Sequence, residues 1–196
     1  GGVFGDQLLA VSLVANSVPS GVEVLVREHP GQLLRGGRGA SDYGFLGRQP
    51  AFYHALNAIR GVSLISTDVD QFELIDNAVC VATVTGTAGW EAVARGRHAL
   101  VFGHTWYCDA PGVHRVDSTE TCREALASVT RRVCPISDSE LADFLIRLVE
   151  RTVHVDFSDE SDEGAGQYGR LLDSYFAGSS EFAVVGDAGT QAAVIR

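Results

Sequence analysis

The sequence predicts an α/β domain, a Rossmann-like parallel sheet with flanking helices. Three observations carry this. Short apolar runs rich in β-branched residues alternate with helix-length segments, the pattern of βαβ units. The runs are continuous, as strands buried on both faces are, and do not alternate apolar with polar. And the stretch from Val79 to Gly103, VCVATVTGTAGWEAVARGRHALVFG, spells strand, small-residue turn, helix, glycine break and strand in one sweep.

Taken in order, residues 6–17 read as a helix with a broad apolar face from Leu8, Leu9, Val11, Leu13 and Val14, stopped by Pro19-Ser20-Gly21. Residues 22–26 form a short buried strand that ends at Arg27-Glu28-His29-Pro30. A Gly- and Arg-rich loop spans 31–47. Residues 49–59 read as a helix with Phe52, Leu56 and Ile59 on one side. Residues 62–65 are a strand. Asp70 opens a short helix as an acidic cap with Glu73 at N3, a capping-box-like start. Residues 79–84 are a strand, Thr85 to Gly89 the turn, and a helix carrying Glu91 follows to Gly96. Residues 99–102 and 113–116 are two more strands. Asp117 or Ser118 caps a helix to residue 132, and Ser137-Asp138-Ser139-Glu140 opens another to residue 151. An acidic linker leads to a last helix at 168–176. The expected layout is a domain over 1–155, linker and helix over 156–176, and a flexible tail over 177–196, frayed or packed on a further segment.

Parallel strands of this kind bind ligands beyond their carboxyl ends. His29, Ser66 and Thr85 to Thr87 each follow directly on a predicted strand, so three loops converge on one sheet edge. The turn at Thr85, Gly86, Thr87, Ala88 and Gly89 carries no large side chain. It offers backbone N–H groups and a helix start to an anion, which points to a phosphate-bearing ligand. Thr87 also reads as a plain N-cap, and both roles can hold together.

The bulk composition bounds the function. A chain of 196 residues that is 45% hydrophobic supports one ordinary core. A net charge of −10 excludes a nucleic-acid binder, which needs a basic face. All cationic side chains are Arg. No apolar run reaches membrane-spanning length and no signal peptide is visible. The Gly-Gly start and the lack of Met predict a piece of a longer protein. Cys80, Cys108, Cys122 and Cys134 form no CxxC pair. They read as reduced thiols of a cytoplasmic protein, with no structural zinc. Asp68-Val69-Asp70 spells a DxD. Asp70 has a local task as a cap, and no further carboxylate or His shows ligand spacing, so no metal is expected. His54, His98, His114 and His154 likewise show no ligand spacing and read as structural or surface histidines.

Four blocks, REHPG (27–31), LISTDVDQFELIDNA (64–78), TVTGTAGWEAVARG (83–96) and ALVFGHTWY (99–107), resemble the capsule polysaccharide biosynthesis family. The resemblance covers about residues 6–116; beyond that the chain is similar only in being helical. Such proteins are bacterial glycosyltransferases of the two-domain GT-B type. The resemblance implies the C-terminal, donor-binding half of that fold. It implies a CMP-sugar donor of the CMP-Kdo kind, a lipid-linked glycan acceptor held by a preceding domain, and no separate cofactor. By resemblance His29 is the catalytic residue, contacting the nucleotide phosphate and steadying the leaving CMP; an imidazole N–H suits a phosphate oxygen. Pro30, Ser66, Thr85, Gly86, Thr87, Ala88, Glu91 and His104 bind substrate. Glu91 takes the ribose hydroxyls, since a carboxylate accepts two hydrogen bonds; it also reads as a first-turn acid favouring the helix dipole. The backbone of residues 65–67 reads the base. Trp106 and Tyr107 line the donor-sugar pocket, and Arg35, Arg38 and Arg48 face an anionic donor or acceptor. Arg stands where family members often carry Lys, as in REHP and GRH. A cytoplasmic protein, peripheral at the inner face of the membrane and near capsule assembly proteins, is expected. The alternatives are a UDP-GlcNAc 2-epimerase, a teichoic-acid polyol-phosphate transferase, and a non-catalytic capsule assembly or export module.

Overall fold

A computed structural model describes residues 2–29, 49–131, 136–152 and 192–195. Two compact units divide the chain, residues 1–137 with 187–196, and residues 138–186. The first unit holds the sheet. Its strands are β1 (Val24–Arg27), β2 (Val62–Ile65), β3 (Cys80–Thr83), β4 (His98–Val101), β5 (Val113–Arg115) and β6 (Ala192–Ile195). Its helices are α1 (Gln7–Ala15), α2 (Pro50–Asn57), α3 (Gln71–Asp76), α4 (Ala88–Ala94) and α5 (Thr119–Arg131). The described part of the second unit, residues 138–152, holds α6 (Asp138–Glu150), an amphipathic helix that buries Phe144 and exposes Ile146 and Val149.

The sheet order is β2-β1-β6-β3-β4-β5. β1 pairs with β2 in parallel, and so do β3 with β4 and β4 with β5. These pairs and their flanking helices make the α/β Rossmann-like fold that the alternating pattern predicts. The centre departs from the expected all-parallel sheet. There β6 lies antiparallel to both β1 and β3. The last residues therefore include a strand where a flexible tail was expected. Ala192-Ala193-Val194-Ile195 is an apolar run of the kind that a position covered on both faces accepts. Antiparallel bonding also satisfies both neighbours' backbone groups.

Each sheet face has its own core. On one side Val24, Val26, Cys80, Ala82 and Leu100 pack with α1, α2 and α5, including Val14, Leu56, Cys122 and Leu126. On the other side Leu25 and Val81 pack with Leu74 and Ile75 of α3 and Ala92 of α4. The alternation along β1 and β3 assigns these faces. Cys80 is fully buried, and burial pushes its thiol up to about 12. Phe4, in the 3-10 turn Gly2–Gly5, meets Phe102 edge to face at 5.0 Å between ring centres.

Helix starts follow local chemistry. Asp6 caps α1 by accepting from Leu8 N–H at 3.0 Å. Asp70 caps α3 by accepting from the N–H groups of Phe72 and Glu73 at 2.8 and 2.9 Å. α2 opens on Pro50 at its first turn, where a missing N–H costs nothing. Strand boundaries shift by one or two residues from expectation: β1 runs on to Arg27 and β4 begins at His98. The loop at 31–47 and the helix at 168–176 lie outside the described residues.

Candidate functional site

The register aligns the strand ends. Ile65 pairs with Arg27, Arg27 and Thr83 both pair with Ala192, Thr83 pairs with Val101, and Val101 pairs with Arg115. All five parallel strands thus finish level. With β6 between them, β1 and β3 stand two strand spacings apart, about 9.6 Å. His29 and the turn after Thr83 therefore stand on either side of the start of β6, at one edge of the sheet. Leaving β6 aside, the order is 2-1-3-4-5, and its topological switch point falls between β1 and β3.

On the β1 side, Arg27 ties two loops together. Its guanidinium donates to the carbonyls of Thr67 at 2.8 Å and Val69 at 3.2 Å. The 66–69 loop is further closed on itself: Ser66 Oγ donates to Asp68 Oδ2 at 3.1 Å and accepts from Asp68 N–H at 3.2 Å. Sequence reasoning missed this role of Arg27. Glu28 is 3% exposed, yet it is polar and at the edge. Its carboxylate accepts from His29 N–H and from Tyr53 Oη, both at 3.2 Å. The backbone of His29 is thereby fixed while its side chain stays exposed at the edge.

On the β3 side, the turn is held from within. Thr83 Oγ1 accepts from Gly86 N–H at 3.0 Å, and the Tyr107 phenol donates to Gly86 carbonyl. Gly86 is buried with both backbone groups engaged. It shapes the turn, and its N–H is not one of those left for an anion. Tyr107 was expected in a sugar pocket. It is 1% exposed and acts as a brace instead. Burial pushes its phenol up, so it stays protonated and donating at neutral pH. Gly89 permits that brace: a Cβ there would lie 2.6 Å from the Tyr107 oxygen and 3.0 Å from Thr83 Cγ2. Gly103 brings the loop after β4 against the turn, since a Cβ there would lie 2.7 Å from Thr85 Cγ2 and 2.9 Å from Val84 carbonyl oxygen.

The outer rim of the turn is polar. Thr87 is exposed and occupies the cap position of α4 in helical geometry, with no side-chain cap bond. Its hydroxyl instead donates to Glu91 Oε1 at 3.3 Å. Gln71 Nε2, from the start of α3, donates to Glu91 Oε2 at 3.0 Å. Glu91 is thus held between two helix starts, and its carboxylate oxygens can each accept a further hydrogen bond. Ala88 is half-buried against the α3/α4 core. Trp90 and Trp106 pack at 4.9 Å between ring centres, and Trp106 meets Tyr107 edge to face. His104 is exposed in the same loop.

Among the described residues, His29, Ser66, Thr85, Thr87 and His104 lie in loops that follow the strand ends at one edge of the sheet, and Ala88 and Glu91 in the first turn of α4. Pro30, Arg35, Arg38 and Arg48 lie outside the described residues. In the DxD, Asp70 is spent on capping α3 and Asp68 on Ser66. Among the described residues no group of three or more His, Cys, Asp or Glu could hold a metal ion. Nor is any described helix long and apolar enough to cross a membrane.

The family model described as capsule polysaccharide biosynthesis protein matches residues 6–142. The match runs past residue 116, through α5 and into the start of α6, so the family likeness extends further than the four sequence blocks suggested. No curated protein and no solved structure matches the chain. A family match over more than two thirds of the sequence, on an α/β sheet, identifies this chain as a member of the capsule polysaccharide biosynthesis family.

Proposed function

We propose that this domain binds the nucleotide-sugar donor of a glycosyltransferase in capsule polysaccharide assembly, in the manner of the donor half of a GT-B enzyme. The donor is a CMP-sugar of the Kdo kind, and the acceptor a lipid-linked glycan met at the inner face of the membrane. The observation that carries the reading is the convergence at the switch point: His29 on one side, the turn of residues 85–88 with Glu91 on the other. In this reading His29 donates to the nucleotide phosphate and steadies the leaving CMP. Thr85 and Thr87 donate to phosphate or to a sugar carboxylate, and Glu91 accepts from the ribose hydroxyls. Catalysis then rests on positioning and on stabilising the leaving group's charge. The Arg27 clamp presents the backbone of residues 65–67 to the base.

A thermal-shift series with CMP, CDP and UDP tests the nucleotide. A ligand present at a hundred times its dissociation constant stabilises by about 2.7 kcal/mol. For a domain of this size that corresponds to a rise of roughly 5–10 °C. CMP should give the largest rise. A larger response to UDP would favour the epimerase-type alternative and sink the Kdo-type donor.

A further inference from the structure

His98 opens β4 and His114 lies in the middle of β5. They are sixteen residues apart in sequence, and neither shows ligand spacing. The parallel register, which pairs Leu100 with His114, puts both on one face of the sheet. His98 Nδ1 and His114 Nε2 face each other at 3.1 Å, with ring centres 5.2 Å apart. Both rings are half-buried. Gly112, at φ +79°, turns the chain into β5 there, and Ile136 packs over it. His98 Nδ1 lies only 3.6 Å from where a Gly112 Cβ would be.

We propose that His98 and His114 form a two-imidazole chelate for a borderline divalent metal ion of the nickel, copper or zinc class. The bite decides this. Two metal–nitrogen bonds of about 2.05 Å to atoms 3.1 Å apart meet at an angle of about 98°. That lies between the square-planar and tetrahedral angles these ions adopt. In the metal-free pair one imidazole donates across the gap. On binding, that proton moves to the ring's other nitrogen, so both facing nitrogens offer lone pairs. A pair of neutral rings takes up the ion with no net proton release. Water completes the coordination, so the site is an exchangeable one. It is separate from the candidate donor site, whose first residue after β4 is His104, six residues on from His98.

Calorimetric titration of the full chain with Ni2+ alone tests this, alongside imidazole-resolved NMR on the same protein. One ion per chain is expected, with paramagnetic broadening of the His98 and His114 ring signals before those of the other histidines. His98→Gln and His114→Gln should each weaken binding at least about tenfold, while His54→Ala should not. Affinity in either Gln variant equal to the parent's, broadening that begins at other histidines, or no uptake at millimolar Ni2+ would overturn the site. The NMR arm uses the unaltered chain, so a variant that fails to fold does not shield the proposal.

Discussion

Replacing Gly89 by alanine sets two effects against each other. Gly89 sits in the first turn of α4 with a φ outside the left-handed region, so the backbone itself accepts alanine. Helix propensity alone then favours the change by about 1 kcal/mol. Packing opposes it. The new methyl would lie 2.6 Å from the Tyr107 oxygen and 3.0 Å from both Tyr107 Cε2 and Thr83 Cγ2. Tyr107 is 1% exposed and has little room to yield. Its displacement forfeits the bond to Gly86 carbonyl, worth about 1–3 kcal/mol when a buried partner is left unpaired. Forcing an extra carbon into a packed site costs about another 1–3 kcal/mol. The net is a destabilisation of about 1–5 kcal/mol, centred near 3. At roughly 2–4 °C per kcal/mol for a domain of this size, the melting temperature should fall about 6–12 °C. Urea unfolding followed by far-UV circular dichroism, with a thermal melt beside it, reads this out. Combining Gly89→Ala with Tyr107→Phe removes the clashing oxygen, so the double variant should lose less than the sum of the two singles. A Gly89→Ala protein as stable as the parent, or more stable, would refute the bracing role of Tyr107.

Asp70→Ala removes two bonds to the first N–H groups of α3 and should cost about 1 kcal/mol in urea unfolding; an unchanged midpoint would contradict the cap. His114 is held below its ordinary value in the folded chain, so the unfolded state binds the extra proton first. Stability should be full above about pH 6.5 and fall as pH drops below it toward the lowered value. His114→Gln should flatten that acid limb, and an unchanged slope would contradict the assignment. Arg27→Ala frees the carbonyls of Thr67 and Val69. Amide exchange in residues 66–69 should then rise, with α4 unaffected; unchanged protection of that loop would contradict the clamp.

Much of this was legible because it is local. The runs at Val24, Val62, Cys80 and His98 are short and mostly apolar, with a helix between each and the next, and each became a strand. Asp70 as a cap needed only its neighbours two and three residues on. The edge convergence followed from topology, since each loop comes directly after a strand. What sequence did not show depends on distant pairing. β6 comes from the end of the chain, and nothing in Ala-Ala-Val-Ile tells which strands flank it or in which direction. Tyr107 looks like a pocket aromatic until the close approach allowed by Gly89 places it under the turn. His98 and His114 meet only through the β4–β5 register. Arg27 reads as part of a motif with His29, yet its hydrogen bonds go forty residues downstream.

The central claim is that the edge between β1 and β3 holds a cytidine nucleotide through His29 and the turn opposite. Calorimetric titration of CMP into the chain, repeated with His29→Ala, tests it most directly. A hydrogen bond to a charged phosphate is worth about 1.5–3 kcal/mol. One CMP per chain should therefore bind, and the variant should bind roughly 10- to 150-fold more weakly with its fold intact. CMP that does not bind, or that binds His29→Ala as tightly as the parent, would contradict the account.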